Sequence, residues 1–197
     1  MSINIRLEKP EDWHIVEGLT RNAFSTPDRI ERSEINCPME HYMVRQLRSC
    51  DGIMELNFVA EMDGQIVGHI IYSHAHILQL DDTKTPVLNF GPLNVLPQYQ
   101  SMGVGGALLN HSINKAKQLG HRAILFFGHP SYYPRFGFAP ADNFSITDRN
   151  GNNYPAFMAM ELAPGYLSSV SGKFIESDIF NDDINREGAK QYDKQFQ

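Results

Sequence analysis

Three glycines and a glutamine fall within seven residues in the run Gln100-Ser101-Met102-Gly103-Val104-Gly105-Gly106, followed by Ala107. Glycines where a helix begins let the backbone approach a bound group and leave several N–H donors directed outward at the positive end of the helix dipole. Such a loop suits a phosphate or pyrophosphate; the alternative is a tight turn in which small residues pack beneath a strand. Two nucleotide loops are excluded. A dinucleotide fingerprint needs a third small residue where Leu108 stands and an acidic residue near the end of the next strand, where the chain reads Leu125-Phe126-Phe127-Gly128. An ATPase-type loop needs Lys and then Ser or Thr directly after its last glycine, and Gly106-Ala107-Leu108 has neither.

Charge placement favours an anion here. No acidic residue stands between Asp82 and Asp142, a stretch of 59 positions where the chain average would place about seven, while Lys84, Lys115, Lys117, Arg122 and Arg135 make it +5. The net charge of −6 therefore divides into −7 for residues 1–82, +5 for 83–141 and −4 for 142–197. A polyanionic ligand belongs against the middle segment, and the acidic first segment mildly favours a cationic second ligand.

The elements that must hold the loop follow from periodicity. Leu56, Phe58, Ala60 and Met62 alternate up to Asp63-Gly64, a hairpin signal, and a long strand-like segment runs from Ile66 to about Ile77. Another strand spans about 87–95, a helix about 103–119 capped by Gly120, and the continuous apolar run 123–127 reads as a two-sided buried strand. Strand, helix, strand across 87–127 is a βαβ unit. A first strand at Ile3, Ile5 and Leu7 and a helix from Pro10 precede these; residues 25–40 read as irregular, and a second helix covers about 39–49. Further strands are expected near 143–147 and 154–162. Ile184, Gly188, Tyr192 and Phe196, four apart, predict a helix in the polar tail that starts at Glu176.

Length and composition fit one globular domain with an appendage: residues 1–165, then 166–197 as a C-terminal extension whose helix packs on the domain. A basic field for nucleic acid is absent from the whole chain, and no apolar run approaches a membrane span. Neither a signal peptide nor a disulfide framework is visible, Cys37 and Cys50 being the two cysteines, so the expected location is the cytoplasm, with no nucleic acid or membrane partner.

Gly91-Pro92-Leu93-Asn94-Val95-Leu96-Pro97-Gln98-Tyr99-Gln100, then Gly103 to Leu109, then Tyr132-Tyr133-Pro134-Arg135-Phe136-Gly137-Phe138 resembles the GNAT superfamily of N-acetyltransferases over roughly 86–140, with weaker similarity from Ile3 to Ile77. Gln100, Gly103 and Gly105 meet the Gln/Arg-x-x-Gly-x-Gly/Ala signature. The resemblance implies an α/β (α+β) fold with a mixed, strongly twisted central sheet and flanking helices. It implies acetyl-CoA, or another acyl-CoA, as co-substrate without a metal, and an amine acceptor, small molecule or peptide; such domains often pair as homodimers. By similarity, Gln100 and Ser101 lead into the backbone N–H groups of Met102, Gly103, Val104, Gly105, Gly106 and Ala107, which hold the CoA pyrophosphate. Leu93 and Val95, flanking Asn94, pair with the pantetheine arm, and His129 either contacts that arm or caps its turn.

Acyl transfer from a thioester to an amine needs a deprotonated amine, a stabilised oxyanion and a proton for the departing thiolate. The resemblance assigns the last to Tyr133 and the second to a backbone N–H in Leu93–Val95, with weaker help from the Asn94 side chain. Many relatives carry a glutamate on the fourth strand, where this chain offers only Asn89 and Asn94. His74 and His76 share one face of the long third strand and are the substitutes for a base; a metal at His-x-His lacks a third ligand. Glu31, Glu34 and Glu40 lie where relatives cover the acceptor. Cys37 and Cys50 have no placed histidine, which disfavours a covalent intermediate. The competing expectation is a non-catalytic acyl-CoA-binding module in which the pocket persists and the acid–base groups decay.

Overall fold

The computed structural model describes residues 2–196, without the side chain of Arg32. β2 (Gly52–Met62) and β3 (Gln65–Leu78) are joined by Asp63-Gly64, whose φ angles of 49° and 80° are the left-handed pair that a two-residue hairpin requires. β1 (Asn4–Leu7) runs antiparallel to β2, Asn4 opposite Glu61. β4 (Lys84–Val95) is followed by α4 (Val104–Gln118) and then β5 (Ala123–Phe127), parallel to β4 with Leu88 opposite Ile124, which is the crossover expected from the periodicity. β8 (Phe157–Glu161) pairs antiparallel with β5 and with the short β6 (Ala139–Pro140). The hydrogen-bonded order is β1-β2-β3-β4-β5-β8-β6, a mixed and mostly antiparallel sheet.

Residues 143–147 are only partly strand. A tight turn over Ala141–Phe144 ends at Ser145 with φ 56°, and β7 is confined to Ile146–Thr147. Residues 166–197 contribute both a strand and a helix. β9 (Gly172–Ile175), not anticipated from periodicity, lies parallel to β7 and antiparallel to the end of β3, with Ile77 opposite Phe174. α5 spans Asp182–Asp193, its Asn181 side chain accepting from the N–H of Asp183.

The chain divides into two compact units. The first takes in the chain up to Tyr72, Gly91–Ser112 and the chain from Asp178. Its core joins Val16 and Leu19 of α1 (Trp13–Phe24) and Val44 of α3 (Glu40–Ser49) to Val59 of β2, Ile66 of β3 and Leu96. A second cluster sets Met43 and Leu47 against Ile71, Ile179 and Ala189. The stretch read as irregular contains a further helix, α2 (Pro27–Ser33), started by Pro27 at its first position, where the missing N–H costs nothing.

Buried charges tie this unit together. Arg48 donates to Glu8 (Nε to Oε2, 2.9 Å) and to Glu17 (Nη1 to Oε1, 2.6 Å), and Asn57 adds a bond to Glu8 at 2.6 Å. From α5, the Tyr192 hydroxyl donates to Glu17 at 2.5 Å, while Arg21 of α1 donates to Asp193 at 2.6 Å. Burial pushes the Glu8 carboxyl up, against the pull of Arg48, so the guanidinium is what keeps this cluster compatible with the interior.

The second unit comprises Ser73–Phe90 and Ile113–Ser177. Ala75 and Ile77 of β3, Val87 of β4, Leu125 of β5, Phe157 of β8 and Phe174 of β9 form its core. Alternation along each strand sends these side chains to one face of the sheet and their neighbours to the other.

Candidate active site

In the first unit the glycine loop occupies the approach to α4. Ser101 (φ 62°) and Gly103 (φ 86°) both adopt left-handed backbone, which turns the chain sharply into the helix. The Gln100 side chain ties the loop back to the Val95 carbonyl at 3.3 Å, and the Leu96 N–H donates to the Val67 carbonyl at 2.9 Å. Ala107 makes the first bond into the helix, its N–H donating to the Gly103 carbonyl at 2.9 Å, so the N–H groups of Val104, Gly105 and Gly106 precede the helical ladder. Ser101, Met102 and Gly103 are exposed, and Gly105, Gly106 and Ala107 half-buried. Buried Val104 and Leu108 fasten the helix to β3. They approach so closely at Gly68 that a Cβ there would meet Val104 Cγ1 at 3.0 Å and the Asn94 carbonyl oxygen at 3.1 Å.

Leu93 and Val95 are half-buried on β4, whereas the Asn94 side chain is turned inward. Its Nδ2 donates to Thr20 Oγ1 at 3.0 Å, so Asn94 is engaged in the core of its unit.

Tyr133 belongs to the second unit, at the start of a tight turn over Tyr133–Phe136. Its ring stands edge-on to Phe126 (centroids 4.5 Å apart) and within 6.0 Å of Phe90 and Phe138, with Tyr132 perpendicular at 5.1 Å. Burial in this apolar cluster, and secondarily Tyr132, pushes the phenol up to about 12, so it stays protonated at neutral pH and is a donor. His129 is exposed, and its Nδ1 lies 3.0 Å from Ser131 Oγ and accepts from the Ser131 N–H at 3.4 Å, closing the turn ahead of Tyr133.

The remaining candidates are dispersed. His74 is exposed, with its ring 6.4 Å from that of His121. His76 is half-buried opposite Ile175, and burial, reinforced by Lys84, holds it below the usual histidine range. Glu40 is ion-paired with Arg29 and accepts from the Met39 N–H at 3.0 Å, at the wall of a cavity of about 200 Å³ lined also by Ser33 and Asp182. Glu34 pairs with Arg186 at 3.0 Å, and Glu31 is exposed. Buried Cys37 is pushed up to about 11 by burial and Asp193, which makes it inert as a nucleophile.

One carboxylate missed in the sequence stands out in the second unit. Glu176, directly after β9, accepts a 2.7 Å hydrogen bond from the Asn89 side chain on β4, and Asn89 is only 2% exposed. Burial pushes Glu176 up to about 7, outweighing the opposing pulls of Arg149 and the Asn89 bond. The signal for it was Lys173-Phe174-Ile175, a short strand-like run just ahead of the polar tail that starts at Glu176.

Known proteins give this arrangement a context. The Acetyltransferase (GNAT) family profile matches residues 22–138, more than half of the chain. The chain is 28% identical over 178 residues to YhbS of Escherichia coli K12, named an uncharacterized N-acetyltransferase, covering 90% of this chain and 98% of YhbS. It is 38% identical over 86 residues to YjhQ of the same organism, also named an uncharacterized N-acetyltransferase, a match spanning 43% of this chain and 46% of YjhQ. The crystal structure of E. coli YhbS in complex with CoA superposes with a TM-score of 0.76 at 25% identity, covering 91% of this chain and 92% of that one. A Brucella melitensis GNAT acetyltransferase in complex with acetyl-CoA gives a TM-score of 0.69 at 25% identity, covering 91% and 98%. With the glycine loop, the crossover and the mixed sheet all in place, the chain belongs to the GNAT family of acetyltransferases.

Proposed function

We propose that the protein transfers an acetyl group from acetyl-CoA to a primary amine by direct attack within a ternary complex, without a metal ion. The observation that carries this reading is the start of α4: N–H groups ahead of the first helical bond, on a loop bent by Ser101 and Gly103, at the positive end of a fifteen-residue helix. That is a seat for the CoA pyrophosphate. The neighbouring structures of YhbS with CoA and of the Brucella enzyme with acetyl-CoA support the same donor.

In this reading Leu93 and Val95 pair with the pantetheine arm through their backbone, and a backbone N–H in the same stretch stabilises the oxyanion. The Asn94 side chain, held by its Nδ2 bond to Thr20, lends the weaker help. Tyr133 donates to the departing sulfur. His129 shapes the turn that presents Tyr133 and lies beside the pantetheine region. The excess of acid in residues 1–82 favours a cationic amine, and the reaction is placed in the cytoplasm. Mixing the protein with acetyl-CoA and a panel of primary amines, with free thiol as the readout, tests the reading. Amine-dependent CoA release is expected; acetyl-CoA binding without release across polyamines, amino acids, aminoglycosides and lysine peptides would overturn it.

A further inference from the structure

A primary amine reaches neutral water as an ammonium of pKa about 10, so transfer requires a group that removes a proton near pH 7. The carboxylates of the second unit are mostly committed to their own loops. Asp148 accepts from the N–H groups of Asn150 and Asn152, Glu161 from those of Gly165 and Leu167, Asp81 from that of Thr83, and Asp142 from the Asn153 side chain. Glu176 differs in its place: its partner is not in its own loop but is Asn89, a buried residue of β4 that stands 87 positions away in the chain. Asn89 and Phe90 are consecutive on β4 and project to opposite faces of the sheet. Phe90 packs against Tyr133, and Asn89 holds Glu176. Leu88 and Ile124 are the pair that joins β4 to β5, so just beyond it the two strands separate, and a thioester lying in that gap has the phenol on one face and the carboxylate on the other.

Resting on the acetyltransfer reading above, we propose that Glu176 is the general base that deprotonates the acceptor amine, with Asn89 as its positioning residue. The ammonium gives one proton to the Glu176 carboxylate. The freed lone pair forms the C–N bond and the C–S bond breaks with its electron pair on sulfur. Tyr133 supplies the proton to sulfur and is restored by the second proton lost from nitrogen; Glu176 returns the first to water. The charged group acting on Glu176 is Arg149, from the turn after β7, whose Nη2 donates to the Glu176 backbone carbonyl at 3.4 Å. Across the β3–β9 pair stands His76, opposite Ile175. Arg149 favours the carboxylate while burial opposes it, which leaves a carboxyl balanced near neutrality, as a base for this reaction must be.

The test is the pH dependence of kcat/KM for an amine the wild type accepts, compared between wild type and Glu176→Gln. The wild type should show an acidic limb near pH 7. Glu176→Gln should lose that limb and about 10²–10⁴-fold in kcat, while keeping the thermal shift produced by acetyl-CoA. Asn89→Ala, which removes a bond to the charged form, should move the limb to higher pH. A Glu176→Gln protein with wild-type kcat and an unchanged limb overturns the proposal and leaves acetyl transfer standing. A wild type that releases no CoA with any primary amine overturns both. Should Glu176→Gln not fold, carbon-13 carboxyl NMR of the wild type decides: a Glu176 midpoint near 7 supports the assignment, and one at the ordinary glutamate value near 4.5 sinks it.

Discussion

Gly128 lies flat against the ring of Tyr133: a Cβ on residue 128 would stand 2.8 Å from Tyr133 Cδ2, and closer still to its Cε2 and to Cε2 of Phe126. The ring has been given its place by the absence of a side chain. Gly128→Ala should force both rings aside, costing about 1–3 kcal/mol by overpacking, and should lower turnover more than it lowers acetyl-CoA affinity. Paired measurement of Tm, kcat and Kd for acetyl-CoA checks this; unchanged kcat with a reduced Tm would separate Tyr133 from the chemistry.

Tyr133→Phe keeps the aromatic cluster with Phe90, Phe126 and Phe138 and removes only the hydroxyl that donates the proton. Turnover should fall by about 10²–10⁴-fold, with acetyl-CoA affinity and thermal stability close to wild type. Stopped-flow single-turnover kinetics, which isolate the chemical step, are the suitable measurement.

Gly103 has φ 86°, and a Cβ at this position would have nothing within 4 Å, so an alanine there meets no clash and acts through backbone strain alone. Gly103→Ala should cost roughly 1–2 kcal/mol in that conformation. Relaxation toward ordinary φ would turn the N–H groups away from the pyrophosphate. Calorimetry should show acetyl-CoA binding weakened roughly 5- to 30-fold, with dephospho or desulfo variants of CoA, which keep the pyrophosphate, weakened alike.

Arg48 is 3% exposed at its side chain and separates two carboxylates, Glu8 and Glu17. Removing it as Arg48→Ala leaves both buried without that cation, and urea unfolding should show a loss of about 3–5 kcal/mol.

Glu176 carries a cost in stability. Its carboxyl is raised from 4.5 to about 7 in the fold, so between those values the folded protein binds the proton and the unfolded chain does not. Stability contributed at this residue therefore falls as pH rises through 4.5 to 7. Glu176→Gln should be more stable than wild type above pH 7, and the gain should disappear below about pH 4.5. Denaturation midpoints across that range are the check.

How far the sequence reaches depends on the separation of the residues involved. The glycine loop, α4 and β5 are consecutive, and periodicity with glycine placement carries their information locally, which is why Gln100 to Ala107 could be read at once. β9 is four residues long, too short for alternation to register, and its identity depends on β3 and β7 beside it. Asn89 and Glu176 are 87 positions apart, and only the folded sheet makes them neighbours. The same holds for the bond from Asn94 to Thr20, 74 positions earlier. The ion pairs of Glu34 with Arg186 and of Glu40 with Arg29 are likewise contacts that only the folded chain makes.

The bonds from Tyr192 to Glu17 and from Asp193 to Arg21 span 175 and 172 positions. On the ribosome, α1 is made that many residues before Tyr192 and Asp193, roughly 10–35 s earlier at ordinary elongation rates. Until then Glu17 has Arg48 as its partner, whereas the Arg21 contact with Asp193 waits for α5 to be made.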